Sequence, residues 1–178
     1  MLEGKLVDLR PVEKEDIALI TEWANNPDFM GEFEPISQES RAETEKYFEK
    51  LPPEKRWFII QKKDGSRIGF IIHFPEDSLM TLGYVLAPEE RRKGYCTEAV
   101  KLMVDYLFLS KDLIRIQAKT RLENKASQKI LEKARFKKEG TVRKAMFIRG
   151  EWRDLFLYSI LREEWKGPEI LTKTTAQK

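Results

Sequence analysis

Cysteine is almost missing from this chain: Cys96 is the only one in 178 residues. A single thiol excludes an internal disulfide and any cysteine cluster for zinc, and it fits a reducing compartment, with the cytoplasm as the default location. Long apolar runs are missing as well. No stretch approaches the roughly 18 residues of a membrane span, and the opening MLEGKLVDLRP has no apolar signal core, so no membrane is expected among the partners. Charge of one sign is scarce: 33 basic against 30 acidic residues leave +3, too little to argue for nucleic acid, which is disfavoured as a partner. Repeats and low-complexity tracts are absent. What remains is 41% apolar and 35% charged, the composition of a globular protein with a heavily charged surface. The length argues for one domain over residues 1–165, with a polar tail over 166–178 expected to fray.

The stretch Leu82 to Leu109, LGYVLAPEERRKGYCTEAVKLMVDYLFL, organises the chain. A short apolar strand, Leu82 to Leu86, is stopped by Pro88. The charged turn Glu89-Glu90-Arg91-Arg92-Lys93 follows, and Gly94-Tyr95-Cys96-Thr97 leads into a long apolar helix. The first turn of a helix carries N–H groups without internal partners, and its dipole favours negative charge. With three cations and a glycine beside those amides, the turn is a phosphate cradle. The two common nucleotide loops do not account for it, since neither G-x-x-x-x-G-K-[ST] nor G-x-G-x-x-G occurs between a strand and a helix.

Arg91-x-x-Gly94-x-Cys96 resembles the [RQ]-x-x-G-x-[GA] signature of the GNAT acetyltransferases, and its flanks, Pro88-Glu89, Lys93-Gly94-Tyr95 and Thr97-Glu98-Ala99, strengthen the match. The resemblance implies that Arg91, Arg92, Lys93, Gly94, Tyr95, Cys96 and Thr97 hold the pyrophosphate of acetyl-CoA. It also implies that the strand carrying Val85 and Leu86 hydrogen-bonds the pantetheine arm, and that Val85, Leu86 or Ala87 offers the thioester carbonyl a backbone donor. Cys96 departs from the usual glycine or alanine but is small enough to leave room.

Periodicity gives a consistent order of elements. Strands are expected at Lys5 to Arg10, Arg56 to Lys62, Arg67 to Phe74, Leu79 to Leu86, Leu113 to Lys119, Phe136 to Val142 and Leu155 to Leu161. Helices are expected at Lys14 to Asn25, Gln38 to Leu51, Thr97 to Ser110 and Asn124 to Ala134. Asp64-Gly65 and Gly150 mark hairpin turns, Pro75 to Ser78 marks another turn, and Asp28 to Ser37 reads as a loop. Lys101 and Asp105 stand at the spacing of a helical ion pair. The order resembles the α/β GNAT fold, a mixed and mostly antiparallel sheet of about seven strands with four main helices. The second half looks closest to the RimJ/RimL-type branch, through Asn124-Lys125-Ala126-Ser127, Leu131 to Phe136, and Gly150 to Asp154. Arg135 replaces a usual glycine.

The implied reaction is direct attack of an amine on the acetyl thioester, with acetyl-CoA as donor and a small molecule or protein N-terminus as acceptor. No metal is called for. The departing thiolate needs help, and where many family members place a tyrosine on the helix after the asparagine this chain has Leu131. The resemblance to RimL-type members assigns that role to Ser127 and a cofactor contact to Asn124. By local chemistry alone, Asn124 caps the helix and Ser127 satisfies a first-turn amide. A base for the amine is harder to find, because Thr81 and Met146 stand where the family often has glutamate. Glu34 and Glu32, in the loop between the first two helices, are the candidates, with His73, Glu151 or water behind them. The alternative is a non-catalytic acyl-CoA-binding module with a degenerate acceptor site. Whether the chain pairs with a second copy as a homodimer stays open.

Overall fold

The structure, a computed structural model, describes residues 1–77 and 79–170. Its strands are β1 (Leu2–Glu3), β2 (Val7–Pro11), β3 (Arg56–Lys62), β4 (Arg67–Glu76), β5 (Leu79–Leu86), β6 (Arg115–Arg121), β7 (Lys137–Ile148) and β8 (Glu151–Leu161). Its helices are α1 (Ile17–Asn25), α2 (Pro27–Met30), α3 (Arg41–Glu49), α4 (Tyr95–Ser110) and α5 (Lys125–Lys133). All eight strands form one sheet in the order β1-β2-β3-β4-β5-β6-β8-β7. Every neighbour pair is antiparallel except β5 with β6. No helix among the described residues is long and apolar enough to cross a membrane.

Alternation along the strands sends side chains to two faces. One face, with Leu9, Ile60, Ile71, Leu82 and Ile116, packs under α4, where Leu102, Met103 and Leu107 are fully buried. Truncating any of those three to alanine would cost about 2–5 kcal/mol. On the other face Ile59, Phe70 and Val85 meet Ile20 and Trp23 of α1 and Phe29 of α2. Two buried acids make α4 a hub. Glu98 accepts the Lys5 and Leu6 amides and so pins the β1–β2 connection. Gly4 lies so close that a Cβ there would stand 2.5 Å from Glu98 Oε1.

The second acid corrects the expected ion pair. Asp105 does not meet Lys101 but accepts from Trp165 Nε1 at 2.9 Å and from the Glu169 and Ile170 amides at 3.0 and 3.1 Å. Lys101 pairs with Glu169 instead, at 2.8 Å. The segment expected to fray from Lys166 is therefore tied to α4 as far as Ile170, while residues 171–178, like Ser78 of the expected Pro75 to Ser78 turn, lie outside the described residues.

The sheet has eight strands rather than about seven because of β1, and the loop expected from Asp28 opens with α2. Asn26 explains the second difference: its N–H closes α1 on the Trp23 carbonyl, while its Oδ1 accepts from Asp28 and Phe29 at 2.9 and 3.1 Å. With Pro27 at the first helical position, the same residue ends one helix and caps the next. β7 and β8 also run longer than expected. Arg149 and Gly150 have φ of 49° and 87°, the two-residue turn whose twist keeps strands paired up to Ile148↔Glu151. Arg135 is likewise accounted for. At φ 68° it supplies the left-handed residue after α5, with its own amide on Glu132 and that of Phe136 on Leu131, the doubly bonded stop that glycine usually makes.

His73 is fully buried on the α4 face, beside Phe58 and Tyr106, and neither ring nitrogen meets a hydrogen-bond partner. Burial, assisted by the charges of Lys111 and Arg56 and opposed to a lesser extent by the Glu54 backbone, lowers its pKa from 6.5 to about 4. Both folded and unfolded forms are neutral above pH 6.5, so the imidazole costs nothing there. Below that, only the unfolded chain takes up the proton readily, and the folded state loses on the order of 3 kcal/mol by pH 4. A His73→Leu variant should therefore gain stability on the wild type as pH falls from 6.5 to 4, read from urea midpoints. A difference independent of pH would remove His73 as a source of acid lability.

Candidate active site

β5 and β6 are paired only over Met80 to Leu82 against Ile116 to Ala118. Beyond that, β5 stays with β4 as far as Leu86↔Gly69, and β6 stays with β8 as far as Arg121↔Leu155. The strands part, and the opening is a cleft of about 570 Å³ whose walls include Glu34, Tyr84, Lys119, Arg121, Asn124 and Ser127. It runs through the sheet. Leu82 and Tyr84 face the α4–α5 side, whereas Lys119 and Arg121 alternate to the side of the loop carrying Phe33 and Glu34.

Parting leaves backbone groups unpaired. The Ala87 amide donates to Ile68 at 2.8 Å, which fixes the alternation along β5. Val85 is turned toward Phe70, and the Tyr84 and Leu86 amides are turned away from β4 into the opening. Of the three residues expected to offer a backbone donor, Leu86 has one free, whereas the Val85 amide is turned to Phe70 and the Ala87 amide is bonded to Ile68. Tyr84 is the addition.

At the end of β5 the chain enters the cationic turn. Gly94 sits at φ 90° as the residue before α4, and no side chain caps the helix. Among the described residues, the amides from Arg92 to Thr97 have no protein acceptor; the first bond of the helix is Glu98 to Gly94. Six adjacent donors and a helix N-terminus fit a diphosphate. The cations divide the work unequally. Arg91 is exposed, but its guanidinium is engaged, Nε donating to the Leu86 carbonyl at 2.9 Å and a terminal nitrogen to the Phe29 carbonyl at 2.8 Å. Lys93 pairs with Glu90 at 2.9 Å. Arg92 is exposed and makes no ion pair among the described residues. Tyr95 and Thr97 are half-buried, and Cys96 is buried beneath the turn with its thiol pKa pushed up to about 12 by desolvation. Its side chain leaves the outer surface of the turn clear.

On the opposite wall Asn124 caps α5, its Oδ1 accepting the Ser127 amide at 3.0 Å. The Ser127 hydroxyl lies 2.9 Å from the Tyr84 hydroxyl. Leu131 is fully buried in the core. Across the cleft, Glu34 is half-buried, its carboxyl forms no hydrogen bond or ion pair among the described residues, and desolvation raises its pKa from 4.5 to about 7. Its loop is held in place: Arg149 donates to the Gly31 carbonyl at 3.1 Å, and the Arg121 guanidinium lies 5.6 Å from the centre of the Phe33 ring. Glu32 is exposed and stands outside the cleft lining.

Of the remaining candidates, His73 is in the core and Glu151 is exposed outside the cleft lining; Met146, where the family often has glutamate, lines the cleft with a thioether. Thr81 donates to Glu76 at 2.9 Å, and Gln117 and Lys119 meet the same carboxylate at 3.3 and 2.5 Å. The cleft thus gathers Glu34 from the loop after α2 and Asn124 and Ser127 from the start of α5. Sequence reasoning missed Tyr84, whose one signal was its place in the alternation two residues before Leu86.

The comparisons with known proteins bear on the family and the fold. Residues 7–137 match the family described as Acetyltransferase (GNAT) domain. A Bacillus subtilis (strain 168) protein named as a probable N-acetyltransferase, YjcK, is 34% identical over 92% of this chain and 98% of its own length. The spermidine N(1)-acetyltransferase of Escherichia coli (strain K12) is 27% identical over 96% and 97%. The crystal structure of spermidine N-acetyltransferase from Vibrio cholerae with CoA and spermine shares the fold at a TM-score of 0.80, with 24% identity over 89% of this chain and 97% of that one.

The division of labour in the turn predicts opposite phenotypes. Arg91→Ala should lower the melting temperature and raise KM for the amine, because the loop of Glu34 loses its brace, while the calorimetric Kd for CoA moves less than about threefold. Arg92→Ala should weaken CoA about threefold to tenfold, the worth of one exposed phosphate contact, and leave the melting temperature alone. Equal losses of CoA affinity in both would contradict the assignment.

Proposed function

The chain belongs to the GNAT acetyltransferase family and moves an acetyl group from acetyl-CoA to an amine, and from that premise we propose that Glu34 is the base, Ser127 the group that meets the departing sulfur, and an α-amine the acceptor. The observation that carries this reading is Glu34, a carboxyl with a pKa of about 7 and no partner among the described residues, in the same cleft as Ser127. A general base works best near the operating pH. Acetyl-CoA supplies the activated acyl carbon, at which a C–N bond forms as the C–S bond breaks. The Arg92 to Thr97 amides would hold its diphosphate, and the Tyr84 and Leu86 amides its arm. Glu34 takes a proton from the nitrogen, and Ser127 directs its hydroxyl to the sulfur.

The choice of acceptor follows from proton affinities. An α-amine titrates near ~7.8, within about one unit of Glu34, whereas a lysine-like amine near ~10.4 lies more than three units above it. Lys119 and Arg121 also stand in the cleft wall, but each is paired, with Glu76 at 2.5 Å and Glu123 at 3.1 Å, so they bear only weakly against a polycation. The acidic stretch from Asp28 to Lys50 supports a polyamine only weakly, since Glu43 caps α3 at Ser40 and Glu45 pairs with Arg41 at 3.0 Å. A non-catalytic module would have no use for an isolated carboxyl at this depth. The single free, buried cysteine supports a cytoplasmic setting.

Glu34→Gln should lower kcat by about a hundredfold at pH 8 and abolish the rise of kcat through pH 7. It should also raise the denaturation midpoint at pH 8. The folded pKa lies above the unfolded value of 4.5, so ionising Glu34 destabilises the wild type progressively from pH 4.5 to 7 and fully above it. An unchanged pH profile would remove Glu34 from the mechanism. For Ser127→Ala, kcat should fall at least tenfold with CoA affinity nearly unchanged. At pH 7 a peptide with a free N-terminus should exceed spermidine in kcat/KM by about tenfold or more; the reverse order would sink the α-amine reading.

A further inference from the structure

We infer that Tyr84 is a positioning residue for the thiol end of the cofactor: its phenol donates to Ser127 and so turns the serine's own proton into the cleft. This rests on the reading of Ser127 given above. The two hydroxyl oxygens are 2.9 Å apart, a distance that by itself allows either to donate. Three observations settle the direction. A phenol is the stronger acid and the stronger donor of the two. The other protein acceptor near the Tyr84 hydroxyl is the Ser127 carbonyl, at 3.5 Å, so the phenolic proton has its destinations on one residue. Burial raises the phenol's pKa, the Ser127 hydrogen bond opposing it only in part, so the proton stays in place across the working range.

The serine is held to match. A hydroxyl in a helix commonly bonds back to the carbonyl one turn earlier, but Ser127 Oγ contacts only Tyr84 among the described residues. Asn124 fixes its amide at 3.0 Å. One proton of the pair is therefore committed between the two oxygens, and the second is free to meet sulfur. Tyr84 keeps its proton throughout. The C–S bond breaks with its electron pair on sulfur, the thiolate accepts the Ser127 hydrogen bond, and it takes a proton from solvent as it leaves. The proton lost by the amine reaches solvent through Glu34, so the exchange is neutral. Tyr84 thereby acts on the sulfur only through Ser127.

The direct test is the thiol pKa of CoA bound to the protein, followed by thiolate ultraviolet absorbance against the complex with desulfo-CoA, which cancels Cys96. In Tyr84→Phe and in Ser127→Ala the bound thiol should titrate about one unit higher than in the wild type, a tenfold loss of thiolate at a given pH, with Kd for CoA changed less than threefold. Both variants should lose about tenfold in kcat, and the double variant no more than either, because the two hydroxyls act as one unit. A shift in Ser127→Ala with none in Tyr84→Phe overturns the role of Tyr84 and leaves that of Ser127 standing. No shift in either overturns both, as additive losses in the double variant would overturn the coupling. Should Tyr84→Phe fail to fold, 3-fluorotyrosine at position 84, a stronger donor, should lower the bound thiol's pKa; an unchanged value overturns the inference.

Discussion

β5 and β6 run side by side for three residue pairs and then separate, and the chemistry of the molecule depends on that separation. Two parallel neighbours require a crossover connection, which here is the turn and α4. The crossover places the start of α4 beyond the carboxyl end of β5, where the gap opens. The topology that leaves the Tyr84 and Leu86 amides unpaired therefore also brings the uncapped amides of Arg92 to Thr97 to the mouth of the gap. Ligand sites at the carboxyl ends of parallel strands in open sheets follow the same logic. In an otherwise antiparallel sheet it happens once, at one seam.

The two sides of that seam are braced differently. On the donor side, buried acids of α4 have work: Glu98 gathers the first loop and Asp105 the segment near Trp165. Arg91 joins the sides, reaching from the cofactor turn to the Phe29 carbonyl in the helix before the acceptor loop. Glu34, at the end of that loop, is the exception to the rule that a buried charge is paired. Its raised pKa is a stability cost above neutral pH, and costs of that kind gather where a site needs a group poised near the working pH.

Much of this was legible in the sequence. The elements from Arg56 to Ser110 fell close to their observed limits because apolar alternation, Asp64-Gly65 and Pro88 punctuate them strongly. The cradle followed from a strand, a cationic turn and a glycine in that order. What was hidden depends on contacts between residues far apart. Arg91 reads as a phosphate ligand, and its hold on the Phe29 carbonyl is visible only in the fold; Lys101 and Asp105 read as a pair until Glu169 takes one and Trp165 the other. Glu32 and Glu34 are indistinguishable as letters. Only the fold turns one into solvent and desolvates the other. Tyr84 looked like an apolar strand residue because its partner, Ser127, lies on a helix 43 positions away.

The account stands most directly on whether the parted edge of β5 takes up the arm of coenzyme A. Amide hydrogen exchange resolved by residue, with and without CoA, measures this. The account predicts that CoA slows exchange at Tyr84 and Leu86 and from Arg92 to Thr97, while Val85, already bonded to Phe70, is slow in both states. Protection confined to other segments, or a Tyr84 amide that exchanges equally fast with CoA bound, would contradict it.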